Sequence, residues 1–225
     1  MQKETSVAQE AYEHLRRDIL TMKLLPGQVL ITQHLSEAFG ISRTPVREAL
    51  VRLVEIDFVE KINGGKFRVK QITWKMVVDL YKMRSILESA AIREIAPGIG
   101  DEQLGRMKAY TENMQKALDN NAYFDFFEND MAFHNYILTI YDNQMIINLL
   151  QRVEDYLQRI RFLTMCMESR MHATIQEHLS LVACLEAHDA EKAVHELEEH
   201  LEKTVKDMQE YANSGYNSWS TLIKW

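Results

Sequence analysis

Residues 40–57, GISRTPVREALVRLVEID, and the run after them, residues 58–69, FVEKINGGKFRV, decide the fold of the N-terminal third. In the first run, Pro45 fits the opening turn of a helix, where a missing N–H is not needed, and Thr44 is placed to cap it. Val46, Leu50, Leu53 and Val54 then recur at helical spacing along one side. In the second run, two short alternating segments flank Asn63-Gly64-Gly65. Those residues accept the positive φ of a tight turn, so a β-hairpin is predicted. Working upstream, Gly40 stops a short helix that runs from Thr32, its expected N-cap, to Phe39. Leu25-Pro26-Gly27 breaks the chain before it. A longer helix, from about Ser6 to Met22, carries Ala11, Leu15 and Ile19 on one face. Helix, short helix, tight turn, helix and hairpin is the layout of a winged helix-turn-helix.

Such a module reads DNA by aiming cations at phosphates and hydrogen-bonding side chains at base edges from the start of one helix. Arg43, Thr44 and Arg47 stand in or before that first turn. An arginine there can bridge O6 and N7 of guanine. Gly64, Gly65 and Lys66 make a slim wing tip able to approach the duplex backbone. A module of this size covers half a site, so a homodimer on a palindromic operator is expected.

Charge is split along the chain. The whole carries a formal net charge of −7. Residues 1–72 hold 11 Lys and Arg against 9 Asp and Glu, so +2, whereas the remainder holds 15 against 24, so −9. The first number alone is too weak to imply nucleic acid; the placement of the arginines carries that reading. No apolar run approaches the roughly 18–20 residues needed to span a bilayer. The start of the chain also lacks the apolar stretch of a secretory signal. A cytoplasmic protein with no membrane partner is expected. Cys166 and Cys184 lack metal or redox spacing and read as reduced thiols.

From residue 73 the chain has helical period throughout. Six helices are predicted, at 73–96, 101–120, 122–141, 143–165, 170–187 and 190–212, with Asp189 capping the last. The fold is therefore mainly α. A winged helix-turn-helix at residues 1–72 precedes an antiparallel all-helical bundle at 73–212, and a tail at 213–225, rich in Asn, Ser, Tyr and Trp, is left without an assignment.

Polar residues on apolar helical faces mark the bundle. Asp130 and His134, four apart, share a face with Phe127, Met131 and Leu138. His178 lies in a stripe with Met171, Ile175, Val182 and Leu185, and His200 borders Leu197, Leu201, Thr204 and Met208. Burying a carboxylate costs several kcal/mol unless it is compensated. A divalent metal between the four would compensate it, and the N/O donor set suits zinc, nickel or manganese. The remaining histidines, among them His195 between Glu191 and Glu199, read as solvated or boundary residues.

The run Leu25-Pro26-Gly27-Gln28-Val29-Leu30 together with residues 35–50, LSEAFGISRTPVREAL, closely resembles the DNA-binding domain of GntR-family regulators. Where that family usually has Glu-Gly-Leu-Val, this chain has Ile56-Asp57-Phe58-Val59, which removes a glycine from the exit of the recognition helix. Asp130-x-x-x-His134, the later Glu177-His178, and then His200 resemble the C-terminal FCD ligand-binding domain of the FadR subfamily, as does residue 81 to 96 with Arg84 and Glu88. The resemblance implies a transcription regulator, usually a repressor relieved by ligand. In it the metal and a nearby arginine hold the carboxylate of a small organic acid. Arg84 is the matching arginine, although it could simply pair with Glu88 at i+4, and Arg161 is a further candidate cation. Three other readings stay open: a regulator whose effector is the metal itself, a metal-free pocket for a fatty acyl group, and a metal-dependent hydrolase.

Overall fold

The structure, a computed structural model, describes residues 6–164, 167–214 and 223–224, with side chains at all of these except 151, 152, 155, 161–164, 223 and 224. The chain forms two compact units, Met1–Trp74 with Ser218–Trp225, and Lys75–Asn217.

In the first unit, α1 (Val7–Leu20), α2 (Thr32–Phe39) and α3 (Arg43–Glu55) precede a hairpin of β2 (Val59–Ile62) and β3 (Lys66–Val69). Ser6 caps α1, its side chain accepting the Gln9 N–H, and Gly40 ends α2 at φ 66°. The expected caps of the next two helices are one or two residues off. Ile31 and Ser42 are the N-cap residues of α2 and α3, and neither makes a side-chain capping bond. The backbone is already extended at both, at ψ 112° and 164°, so Thr32 and Thr44 lie inside their helices. Pro45 falls in the first turn of α3, where no intrahelical N–H bond is lost. Between β2 and β3, Gly64 and Gly65 take φ 78° and 71°, a left-handed pair that side chains disfavour.

Three short strands escaped the sequence reading. β1 (Val29–Leu30) pairs antiparallel with β3 at Val29↔Arg68 and Leu30↔Phe67, making a three-stranded sheet of order β1-β3-β2. β4 (Ile72–Thr73) occupies the predicted start of the first bundle helix. It pairs in parallel with β5 (Ile223–Lys224), so this part of the tail belongs to the first unit. Leu15, Ile19, Val46, Leu50, Leu53, Phe58, Phe67 and Val69 are fully buried and form the core. The missing glycine at the exit of α3 has a structural counterpart: Asp57 itself adopts φ 65° and pairs with Lys70.

The second unit contains α4 (Trp74–Ile95), α5 (Asp101–Asp119), α6 (Tyr123–Tyr141), α7 (Gln144–Thr164), α8 (Glu168–Glu186) and α9 (Ala190–Asn213). Short connections turn α6 back on α5 and α9 back on α8. Closest packing joins α5 with α6 and α8, and α8 with α9. Asp189 caps α9, accepting the Lys192 N–H at 3.1 Å. The buried side of α6 is centred on Phe126, Asp130, Phe133, His134 and Ile137, and Phe127 and Met131 are only half-buried at its edge. No helix among the described residues is long and apolar enough to cross a membrane.

Candidate functional site

On the first unit, Arg43, Thr44 and Arg47 are exposed at the front of α3. They line a surface groove with Ile31, Thr32 and Gln33 at the start of α2. The contrast with Arg52 on the same helix is informative. Its guanidinium donates to Gln9 Oε1 at 2.8 Å and lies 4.0 Å above the Tyr12 ring, so it fastens α3 to α1. Gly64, Gly65 and Lys66 are exposed at the wing tip.

In the second unit, α6, α8 and α9 bring Asp130, His134, His178 and His200 together. One donor atom from each lies within 4.8 Å of the others, and all four residues are buried. His134 Nε2 is 3.1 Å from His178 Nε2, and Asp130 Oδ1 is 3.8 and 3.6 Å from those two nitrogens. Two ligands of one cation, each ~2.1 Å from it, stand ~3.0–3.4 Å apart, so Asp130, His134 and His178 need only slight contraction to hold one divalent ion, whereas the widest separation in the group must close by roughly 1.4 Å. Among first-row divalent ions the set favours none outright.

Three groups orient the imidazoles. Glu88 on α4, 1% exposed, accepts from His134 Nδ1 at 2.6 Å and from Arg84 Nε at 2.6 Å. That bond leaves Nε2 of His134 with its lone pair toward the cluster. Glu177 holds Nδ1 of His200 at 2.7 Å and is itself clamped by Arg170. His178 is fixed differently: its ring stacks on Phe133, with centroids 4.1 Å apart and planes 5° from parallel, while Nδ1 has no hydrogen-bond partner.

The electrostatics suit ligation. Burial, reinforced by His200 and His134, pushes the His178 pKa well below the usual histidine range, although Asp130 opposes the shift. His178 is thereby kept neutral, the form that binds metal. Burial pushes the Glu88 carboxyl up, and the Arg84 ion pair works against it. Burial also pushes Glu177 up, but hydrogen bonds from His200 and Arg170 outweigh it and bring the group down to about 2.

Beside the cluster lies a cavity of about 40 Å³, lined in part by Arg84, Asp130, Arg170 and His200. Arg84 is 2% exposed; Glu88 takes its Nε, as i+4 spacing allows, yet its Nη2 has no partner. Arg161 lies outside the residues whose side chains are described. Sequence reasoning singled out neither Glu88, Glu177 nor Arg170 as orienting groups, nor Phe133. The only available signals were the i+4 spacing of Arg84 and Glu88 and the adjacency of Glu177 to His178.

Residues 7–69 match the bacterial regulatory proteins of the gntR family, and residues 79–203, more than half the chain, match the FCD domain. The chain belongs to the GntR family, in its FadR-like, FCD-bearing branch. This GntR regulator is 26% identical over 205 residues to the HTH-type transcriptional repressor RspR of Escherichia coli, covering 91% of this chain and 90% of that one. It is 28% identical over 180 residues to the HTH-type transcriptional regulator YdhC of Bacillus subtilis, covering 79% and 80%. Its fold matches the solved structure of McbR/YncC of E. coli at a TM-score of 0.73, with 22% identity over 92% of this chain and 99% of that one. The GntR regulator is thus a ligand-responsive transcription regulator, and its family and relatives are regulators rather than enzymes.

Proposed function

We propose that the protein is a cytoplasmic repressor that binds a palindromic operator as a homodimer and releases it on sensing a small organic acid at a metal-containing pocket. Arg43, Thr44 and Arg47 read the major groove, and Gly64, Gly65 and Lys66 approach the backbone beside it. Asp130, His134, His178 and His200 hold a divalent ion. The bound ion supplies a Lewis-acidic point for the effector carboxylate. Arg84, through its unpartnered Nη2, donates to the same carboxylate. The effector acts by binding one arrangement of the dimer more tightly than the other.

The observation that carries this reading is the convergence of four buried donors within 4.8 Å, two of the histidines backed by carboxylates. A cluster built only for packing has no use for acids oriented onto Nδ1. The test is elemental analysis and native mass spectrometry of the parent and of the His178→Ala, His200→Ala double variant. The parent carries about one divalent ion per chain and the variant none; equal metal content in the two overturns the metal site.

A further inference from the structure

Two arginine–glutamate–histidine relays flank the cluster. On α4 and α6, Arg84 Nε donates to Glu88, and Glu88 accepts from Nδ1 of His134. On α8 and α9, Arg170 donates through both terminal nitrogens to Glu177, which is bonded to Nδ1 of His200. The order of groups is the same in both, and each relay ends on a residue of the cluster.

Arg170 also shares the two properties that fit Arg84 for contact with the effector. Both residues line the same cavity. Both are buried, at 2% and 7% exposure, and each leaves one N–H without a hydrogen-bond partner, Nη2 on Arg84 and Nε on Arg170. A buried donor with no acceptor is costly, and few persist in native proteins without a reason. The charge of Arg170 is already answered. Glu177, and Asp207 at 3.5 Å, face its terminal nitrogens, and Thr204 Oγ1 accepts at 3.0 Å. What Arg170 has left over is therefore a directional donor, not an unmet charge. An oxygen acceptor satisfies it whether or not that oxygen is ionised. With one carboxylate oxygen of the effector on the ion and the other on Arg84, a donor carried by α8 is met most directly by a further oxygen of the same molecule.

Taking the metal-and-carboxylate reading above as its basis, we infer that Arg170 is a second effector-contacting residue. The effector is then an acid bearing a further oxygen acceptor, a hydroxyl, carbonyl or second carboxylate, that accepts from Arg170 Nε. At about 40 Å³ the cavity has to widen for such a molecule, and Met167, Met171 and Met208 in its lining are side chains that re-pack readily.

Calorimetric titration of the metal-loaded full chain with butanoate, its α-, β- and γ-hydroxy forms and succinate tests this. These acids share one carbon count and differ in whether, and where, a second acceptor stands. At least one of the oxygenated acids should bind roughly 10- to 150-fold tighter than butanoate, the worth of a hydrogen bond to a charged donor. Arg170→Lys keeps a cation beside Glu177 but removes Nε. In it, with metal content checked, the ratio of the favoured acid's affinity to that of butanoate should fall close to unity. The Arg170→Met, Glu177→Gln double variant withdraws both charges together, keeps a side-chain oxygen toward His200 Nδ1, and should give the same ratio. Butanoate binding as tightly as every oxygenated acid overturns the inference and leaves the metal-and-carboxylate reading standing. A ratio that survives both substitutions does the same. Failure of every acid to bind, or binding unchanged in the His178→Ala, His200→Ala protein, overturns the reading on which the inference rests.

Discussion

Replacing Glu88 by glutamine tests how the cluster is built. The carboxylate accepts two charge-assisted hydrogen bonds, both at 2.6 Å, one on each oxygen, from Arg84 Nε and His134 Nδ1. A glutamine is nearly isosteric but has a single carbonyl oxygen. Its amide must face either the guanidinium or the imidazole donor on donor. One bond worth about 1.5–3 kcal/mol is lost, and a guanidinium 2% exposed is left without its counter-charge. Breaking a buried pair in this way costs about 3–5 kcal/mol. At roughly 2–4 °C per kcal/mol for a protein of this size, Tm falls by roughly 6–20 °C. His134 also loses the partner that fixes its tautomer, so metal affinity should drop about 10–100-fold. Thermal unfolding followed by circular dichroism, with a competitive metal titration below the transition, measures both. A variant that binds metal as the parent does, and melts within a degree of it, refutes the claim that Glu88 orients a ligand.

Arg47→Ala should weaken operator binding by about 5- to 150-fold in fluorescence anisotropy without changing Tm, since Arg47 is exposed and a bidentate base contact is worth about 1–3 kcal/mol. Asp57→Val should destabilise the DNA-binding unit by about 1–2 kcal/mol, because a β-branched residue at φ 65° is strained, whereas Asp57→Gly should not; denaturant melts decide. For metal-free protein, stability should be full above about pH 6.5 and fall as the pH is lowered below it. His178 is held neutral by burial, so the unfolded chain takes up its proton first. A Tm flat from pH 7.5 to 5.5 would contradict this.

Much of the architecture is written locally. Pro45, Gly40, Asp189 and the Asn63-Gly64-Gly65 turn act on their own neighbours, and helices and hairpin fall close to where those residues put them. Strands of two residues, such as Val29–Leu30 and Ile72–Thr73, have no alternation to detect; pairing with distant chain defines them. The four cluster residues were legible because polar groups at core spacing need an explanation. Glu88 was not, because its role depends on α4 lying against α6, 46 residues further along the chain. Phe133 was hidden for the opposite reason: an aromatic on a buried face reads as ordinary core until its ring is found parallel to His178.

Arg84 has a divided allegiance. Its Nε supports the carboxylate that polarises His134, while its Nη2 is buried without a partner in a residue that lines the cavity. An anion drawing on the second edge competes for the same positive charge that steadies the first. Under the proposed function, occupancy of the cavity is therefore felt by the imidazole, and ion and acid would be thermodynamically linked: whatever factor the acid imposes on the ion's affinity, the ion imposes on the acid's.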